Sequence, residues 1–210
     1  MLEWIYRGLR KGRITTRYPR GAERAPDGFE GSIALVAAAE RRDRVAAACE
    51  SGTIVVIAGG GAPLAQAAGG LRRSIHVRHI DCGSDGSEEW ETQALWNPYY
   101  DIQRLGVFLT NSPRHADVLL VTGPVTAPMR APLERTWEVM PAPKVLVAVG
   151  TDACGRGLHS VASGGRLTAG GVDSVLPVDV YVPGTPPPPL AIMQGLLLAA
   201  GILRPEEVAT

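Results

Sequence analysis

The chain has 210 residues, enough for one large domain or for one domain with a small appendage. Hydrophobic residues make up 45% and charged residues 20%, the balance of a globular protein, and a formal net charge of +0 removes any general electrostatic case for nucleic-acid binding or membrane attachment. Three widely spaced cysteines, Cys49, Cys82 and Cys154, are not a secreted disulfide framework.

Taken in chain order, MLEWIYRGLRKGRITTRYPRG carries its basic residues behind a short amphipathic stretch and has no apolar core ahead of a small-residue cleavage site, so it is not read as a signal peptide. Leu2 to Leu9 predicts a short helix with Trp4, Ile5 and Leu9 on one face, able to pack on its own domain or on a partner. Arg13 to Arg20 reads as a basic extended arm. Residues 21–75 are rich in Ala and Gly; their pattern predicts a helix at Ile33 to Cys49, a strand at Thr53 to Ala58 and a loop, AGGGAP, without the G-x-G-x-x-G spacing of a dinucleotide site.

From Ser74 the signals alternate. SIHVRHI reads as a strand, and the loop HIDCGSDGSEEWE leads from it into a helix. PYYDIQRLGV reads as a helix and its end, DVLLVTG as a buried strand, RAPLERTWEVM as a helix, and KVLVAVG and VLPVDVYV as two more buried strands. The closing helix, LAIMQGLLLAAGIL, is shorter than the roughly 20 residues that span a bilayer, so the chain is placed in the cytoplasm. Short Val- and Leu-rich runs separated by helices predict an α/β fold with a mainly parallel sheet flanked by helices. In such sheets the site lies beyond the carboxyl ends of the strands. Four loops meet there: DCGSDGSEE, VTGPVTAP, GTDACGRG and PGTPPPP.

Those loops offer Cys82, Asp85, Glu88, Glu89, Asp152 and Cys154. Zinc accepts sulfur and oxygen ligands, but the usual C-x-x-C spacing is missing. Cys82 and Cys154 could pair if their loops meet, or remain buried free thiols. A nucleophilic cysteine needs a nearby base, and only His79 and, more loosely, His159 are at hand. His76 and His79 are three apart on a strand and point to opposite faces, so they do not converge on one ion.

The ordered runs NPYYDIQRLG, SPRHADVLLVTGPVT, MPAPKVLVAVG and PVDVYVPG closely resemble the small cluster-bearing subunit of respiratory complex I (its 20 kDa subunit) and of group 4 membrane-bound nickel-iron hydrogenases. The resemblance covers roughly Ser74 to Leu203, and SPRHADVLLVTGPVT leans toward the hydrogenase branch. It implies a flavodoxin-like small-subunit fold and one 4Fe-4S cluster held by four cysteines. Aligned on the family's cysteine loops, Asp85 and Glu88 stand at the first two ligand positions, Asp152 at the third and Thr185 at the fourth. The resemblance therefore implies a scaffold that has kept its shape and lost its cluster, with no cofactor and no metal expected. Cys82 and Cys154 flank the old positions as possible atypical ligands of a 4Fe-4S cluster, which is the alternative.

Upstream, TTRYPRGAERAPDGFEG and AACESGTI resemble the ferredoxin-like subunit of the same complexes, which places Ala39, Arg42, Val45 and Cys49 at its motif cysteines. The expected organisation is an N-terminal helix and arm at 1–20, a degenerate ferredoxin-like segment at 21–73 and the small-subunit-like α/β domain at 74–210. Three carboxylates brought together need protons or counter-ions. Arg72, Arg73, Arg104, Arg114 and Arg156 are candidates, although the carboxylates could equally point into water.

The function the resemblance implies is a non-redox structural or coupling subunit, not catalytic alone. It would lie peripherally on the inner face of a membrane, between a hydrogenase-like or complex I-like large subunit and ion-transporting membrane subunits. Trp96, Tyr99, Tyr100 and Arg104 are the candidate docking anchors, with Trp96 and Tyr100 equally suited to a core. The alternatives are electron transfer through one atypically ligated cluster, and an acidic crevice binding a metal or small molecule. No nucleic acid is expected as a partner.

Overall fold

The computed structural model describes residues 3–11, 33–37, 45, 47–48, 54–58, 74–155 and 168–203. Its helices are α1 (Glu3–Lys11), α2 (Ser87–Ala94), α3 (Ala127–Val139) and α4 (Pro189–Ala199). Its strands are β1 (Ile33–Ala37), β2 (Ile54–Ala58), β3 (Ile75–Asp81), β4 (Val107–Leu109), β5 (Val118–Thr122), β6 (Val145–Val149) and β7 (Val180–Val182). They form one seven-stranded sheet in the order β1-β2-β7-β6-β5-β3-β4, parallel throughout except where β2 meets β7.

Counted from β3, the five strands after Ser74 follow the order 2-1-3-4-5 of doubly wound flavodoxin-like sheets. Every residue of β5 and β6 is buried, which is why these runs are continuously apolar rather than alternating. One face of the sheet packs Val77, Val118, Leu120, Val147 and Val180 against Leu95 and the side chains of α4. The other face packs Leu119, Val121, Leu146, Ala148 and Tyr181 against Leu133 of α3. The switch in strand order lies between β3 and β5, so the crevice opens between the loops that follow them.

The structure corrects three sequence expectations. Ile33–Ala37 begins the stretch expected as a helix, yet it is the strand β1, because Ile33, Leu35 and Val36 fit a pleated ladder beside β2 and that pairing outweighs the Ala-rich helical bias. PYYDIQRLGV is not an α-helix. Asp101 adopts a left-handed conformation (φ 43) and Gly106 another (φ 83), which confines Ile102–Leu105 to one 3-10 turn, and Val107 then starts β4, a strand the sequence reading missed. The third buried strand is only Val180–Val182, because Val172–Ser174 forms a 3-10 turn and Pro177 interrupts the run. β1 and β2, from residues 21–73, join the same sheet as the rest.

Helix α4 lies on the sheet at Gly195, where an added Cβ would strike Val182 Cγ2. Helix propensity alone would make Gly195→Ala stabilising by about 1 kcal/mol. The close approach reverses that: Gly195→Ala is expected to lower the melting temperature. Combined with Val182→Ala it should lose less than the sum of the two single changes, as thermal unfolding of the three variants would read.

Candidate functional site

The loop after β3 is fixed by its own side chains. Asp81 Oδ1 accepts the backbone N–H groups of Gly83 and Ser84, both at 2.8 Å, which folds the chain back over the strand end. Asp85 Oδ1 accepts the N–H of Ser87 at 3.0 Å and its hydroxyl at 2.6 Å, so α2 starts directly behind it. This loop presses on the one after β5. A Cβ on Gly123 would lie 2.8 Å from Ser84 Cα, and one on Gly83 would collide with Thr126, so only glycine fits at either point.

Glu88, on the first turn of α2, is 3% exposed. Its carboxyl lies over the bare backbone of Gly150 at the end of β6, where a Cβ would come within 2.5 Å of Glu88 Oε1. The loops after β6 and β7 are joined in turn. Thr151 N donates to Gly184 O at 2.8 Å, and Gly184 N donates to Thr151 Oγ1 at 3.1 Å. The four loops therefore do converge, and Glu88 reaches across from the first to the third.

Ser87 Oγ stands between two carboxyls, 2.6 Å from Asp85 Oδ1 and 3.1 Å from Glu88 Oε2. A hydroxyl has one proton to give. That proton is shared between the two acceptors, Asp85 Oδ1 holding the nearer place and Glu88 Oε2 the farther. Burial, foremost, and the charges of Asp85 and Glu89 raise the Glu88 pKa, while hydrogen bonds from its own backbone N–H and from Ser87 oppose the rise. Burial prevails over these bonds, and the net direction is toward the neutral acid.

A second chain of hydrogen bonds runs beside it. His79 Nε2 lies 3.0 Å from Thr122 Oγ1, which donates to Glu89 Oε1; Ser84 Oγ donates to Glu89 Oε2 and accepts from Gly86 N at 3.0 Å. These directions assign the His79 proton to Nε2. Burial lowers the His79 pKa despite Glu89, 3.7 Å away. The sequence reading placed Glu89 in the crevice but missed this network, because β5 brings Thr122 beside Asp81 only once the register is known.

Cys82 and Cys154 are not joined in a disulfide; they are 0% and 3% exposed, and both belong to the core layer on the α3 side of the sheet. Burial, reinforced by Asp81, pushes the Cys82 pKa up to about 12, so it is a neutral thiol at ordinary pH. Asp152 is buried, whereas Asp85 and Thr185 are exposed. Val45 is buried in the α3-side core layer; Ala39, Arg42, Cys49, Arg72, Arg73 and Arg156 lie outside the described residues. Of the proposed anchors, Tyr99 is 83% exposed and Arg104 is exposed, while Trp96 packs partly buried on the core and Tyr100 is half-buried edge-on to Tyr99. Trp90, on α2 two residues after Glu88, is 73% exposed and was not singled out from the sequence.

Residues 85–199 match the family described as NADH ubiquinone oxidoreductase, 20 Kd subunit. The chain belongs to that family. Within it, the chain is similar to formate hydrogenlyase subunit 7 of Escherichia coli (strain K12), at 42% identity over 64% of this chain and 51% of that protein. It is 44% identical to the "Probable membrane-bound hydrogenase subunit mbhJ" of Pyrococcus furiosus over 61% of this chain and 75% of that one. To an NADH-quinone oxidoreductase subunit of Amoebophilus asiaticus it is 42% identical over 51% of this chain and 66% of the relative. The chain thus spans about half the length of the formate hydrogenlyase subunit. Among solved structures, the membrane-bound sulfane sulfur reductase, an archaeal respiratory membrane complex, superposes with a TM-score of 0.53 at 28% identity, over 62% of this chain and 71% of that chain.

Members of the 20 Kd-subunit family usually bind a 4Fe-4S cluster, and thiolates are what hold such clusters. The residues at the four positions implied by the resemblance do not fit one: three carboxyl groups and a hydroxyl stand there, and the Gly150 face is filled by the Glu88 side chain. Cys82 offers a thiol that burial keeps protonated. Among the described residues no group of three or more His, Cys, Asp or Glu is arranged to hold a metal ion.

The raised Glu88 pKa carries a sign. The fold favours the protonated acid, so this contribution is complete below the usual glutamate range and is lost as pH rises through the folded value. Glu88→Gln cannot ionise. It should match the parent in melting temperature near about pH 4 and exceed it near about pH 8, where an identical pH dependence of the two proteins would contradict the raised pKa.

Proposed function

We propose that this chain is a non-redox structural or coupling subunit of a membrane-associated complex resembling complex I or a group 4 hydrogenase, retained after loss of its 4Fe-4S cluster. The observation that carries the reading is the Glu88 carboxyl lodged over Gly150. Together with Ser87 and Asp85 it closes the crevice with hydrogen bonds where the resemblance expects iron. Asp85, Glu88, Asp152 and Thr185 are then vestigial ligand positions. A loop network that needs no metal is what keeps the four loops in place.

The relatives' names supply the setting: formate hydrogenlyase, membrane-bound hydrogenase and NADH-quinone oxidoreductase. By analogy this chain sits between a hydrogenase-like or complex I-like large subunit and ion-transporting membrane subunits, peripheral on the inner face. Among the described residues no helix is long and apolar enough to cross a membrane. Tyr99, Arg104 and the exposed Trp90 are the side chains we assign to docking on the large subunit, since aromatic and arginine side chains dominate such contacts. Residues 21–73 are read as the remnant of a ferredoxin-like module, with the buried Val45 at one of its former ligand positions.

The complex isolated anaerobically through a tag on this chain is expected to contain a large subunit and membrane subunits. This chain, separated from them without air, is expected to be colourless and free of iron and acid-labile sulfide. Stoichiometric iron and sulfide with a reducible visible band would instead assign it electron transfer through an atypically ligated cluster.

A further inference from the structure

The basic residues are distributed unevenly. Residues 1–20 hold six of them, Arg7, Arg10, Lys11, Arg13, Arg17 and Arg20, against the single acid Glu3. With a net charge of +0 overall, the remaining residues are acidic by the same excess. Electrostatic attraction absent from the whole chain is therefore concentrated in one short segment.

Helix α1 lies within that segment and is sharply two-sided. Ile5 and Leu9, four apart, share one face, while Glu3, Arg7, Arg10 and Lys11 occupy the opposite one, with Tyr6 between. Arg7 is joined to Glu3 by an ion pair at 2.8 Å, which supports the helix, and the basic residues crowd its C-terminal turn, where the helix dipole favours them. Every described side chain of α1 is exposed: Ile5 is 39%, Tyr6 65% and Leu9 78% accessible, so the apolar face has no cover among the described residues. An apolar stripe left bare beside a cluster of cations, in an otherwise acidic chain, is complementary to a surface that is both negatively charged and oily.

We propose that α1 forms a binding site for anionic phospholipid, lying in the plane of the membrane surface with Ile5 and Leu9 inserted at the acyl boundary and Arg7, Arg10 and Lys11 among the headgroups. A protein groove would have to supply acidic groups along its rim and an apolar floor together; a bilayer of acidic lipid presents both everywhere. The role stands independently of the assembly proposed above, because it gives this chain its own contact with lipid rather than one made only through other subunits.

Co-sedimentation of the full chain with vesicles of mixed phosphatidylglycerol and phosphatidylcholine, against vesicles of phosphatidylcholine alone, tests it. Binding is expected to the anionic vesicles only and to fall as salt is raised. Arg7→Gln with Arg10→Gln should weaken it about thirtyfold, at roughly 1 kcal/mol per basic residue. Ile5→Ser with Leu9→Ser should weaken it as well. These four side chains are exposed, so circular dichroism of the α/β domain should be unchanged in both variants. Failure to bind anionic vesicles, or binding that either variant leaves unaltered, overturns the proposal and leaves the apolar face of α1 to a protein partner.

Discussion

The contact on which the rest of the crevice depends is that of the Glu88 carboxyl with the bare Cα of Gly150. It joins the first turn of α2 to the end of β6, and any side chain at position 150 would break it. Around it the loops after β3 and β5 are locked by equally close approaches, Ser84 on Gly123 and Thr126 on Gly83, and the loop after β7 is tied to the one after β6 by the Thr151–Gly184 hydrogen bonds. Four loops from separate strands thus meet through glycine positions, three of them with φ between 70 and 125 and one at 149, where an L side chain would be strained even without a neighbour. The convergence is a property of the backbone, and Glu88 is the side chain that fills it.

Carboxyl groups at such a place create an electrostatic problem, and the structure answers it with hydrogen-bond donors. Asp81 and Asp85 are held by backbone N–H groups and by Ser87; Glu89 is held by Ser84 and Thr122. Glu88, the most buried of them, is instead shifted toward its neutral form. Hydrogen bonding of the surface-facing carboxylates and a raised pKa for the buried one are the two ordinary ways of keeping like charges close. On the proposed reading, this arrangement substitutes for the cross-linking that a cluster would give.

Much of this was legible beforehand. The runs DVLLVTG and KVLVAVG read as buried parallel strands because β-branched and leucine side chains filled both faces, and their order placed the loops after them at one end of the sheet. What the sequence did not show depended on partners distant in the chain. Ile33–Ala37 is a strand because β2 lies beside it, and Val107–Leu109 is one because β3 does. The left-handed Asp101 broke a helix that its neighbours' periodicity favoured. The pairing of Thr122 with Glu89 required the β3–β5 register, and the exposure of Trp90 followed only from how α2 packs.

The central claim is that the crevice is a former cluster pocket now closed by carboxyl groups. The most direct measurement is anaerobic iron and sulfide reconstitution of the parent chain beside the variant carrying Asp85→Cys, Glu88→Cys, Asp152→Cys and Thr185→Cys together. The account predicts a colourless parent without iron, and a brown variant holding about four irons and four sulfides with a reducible absorption band. Iron and sulfide bound by the parent, or a folded variant that binds neither, would contradict it.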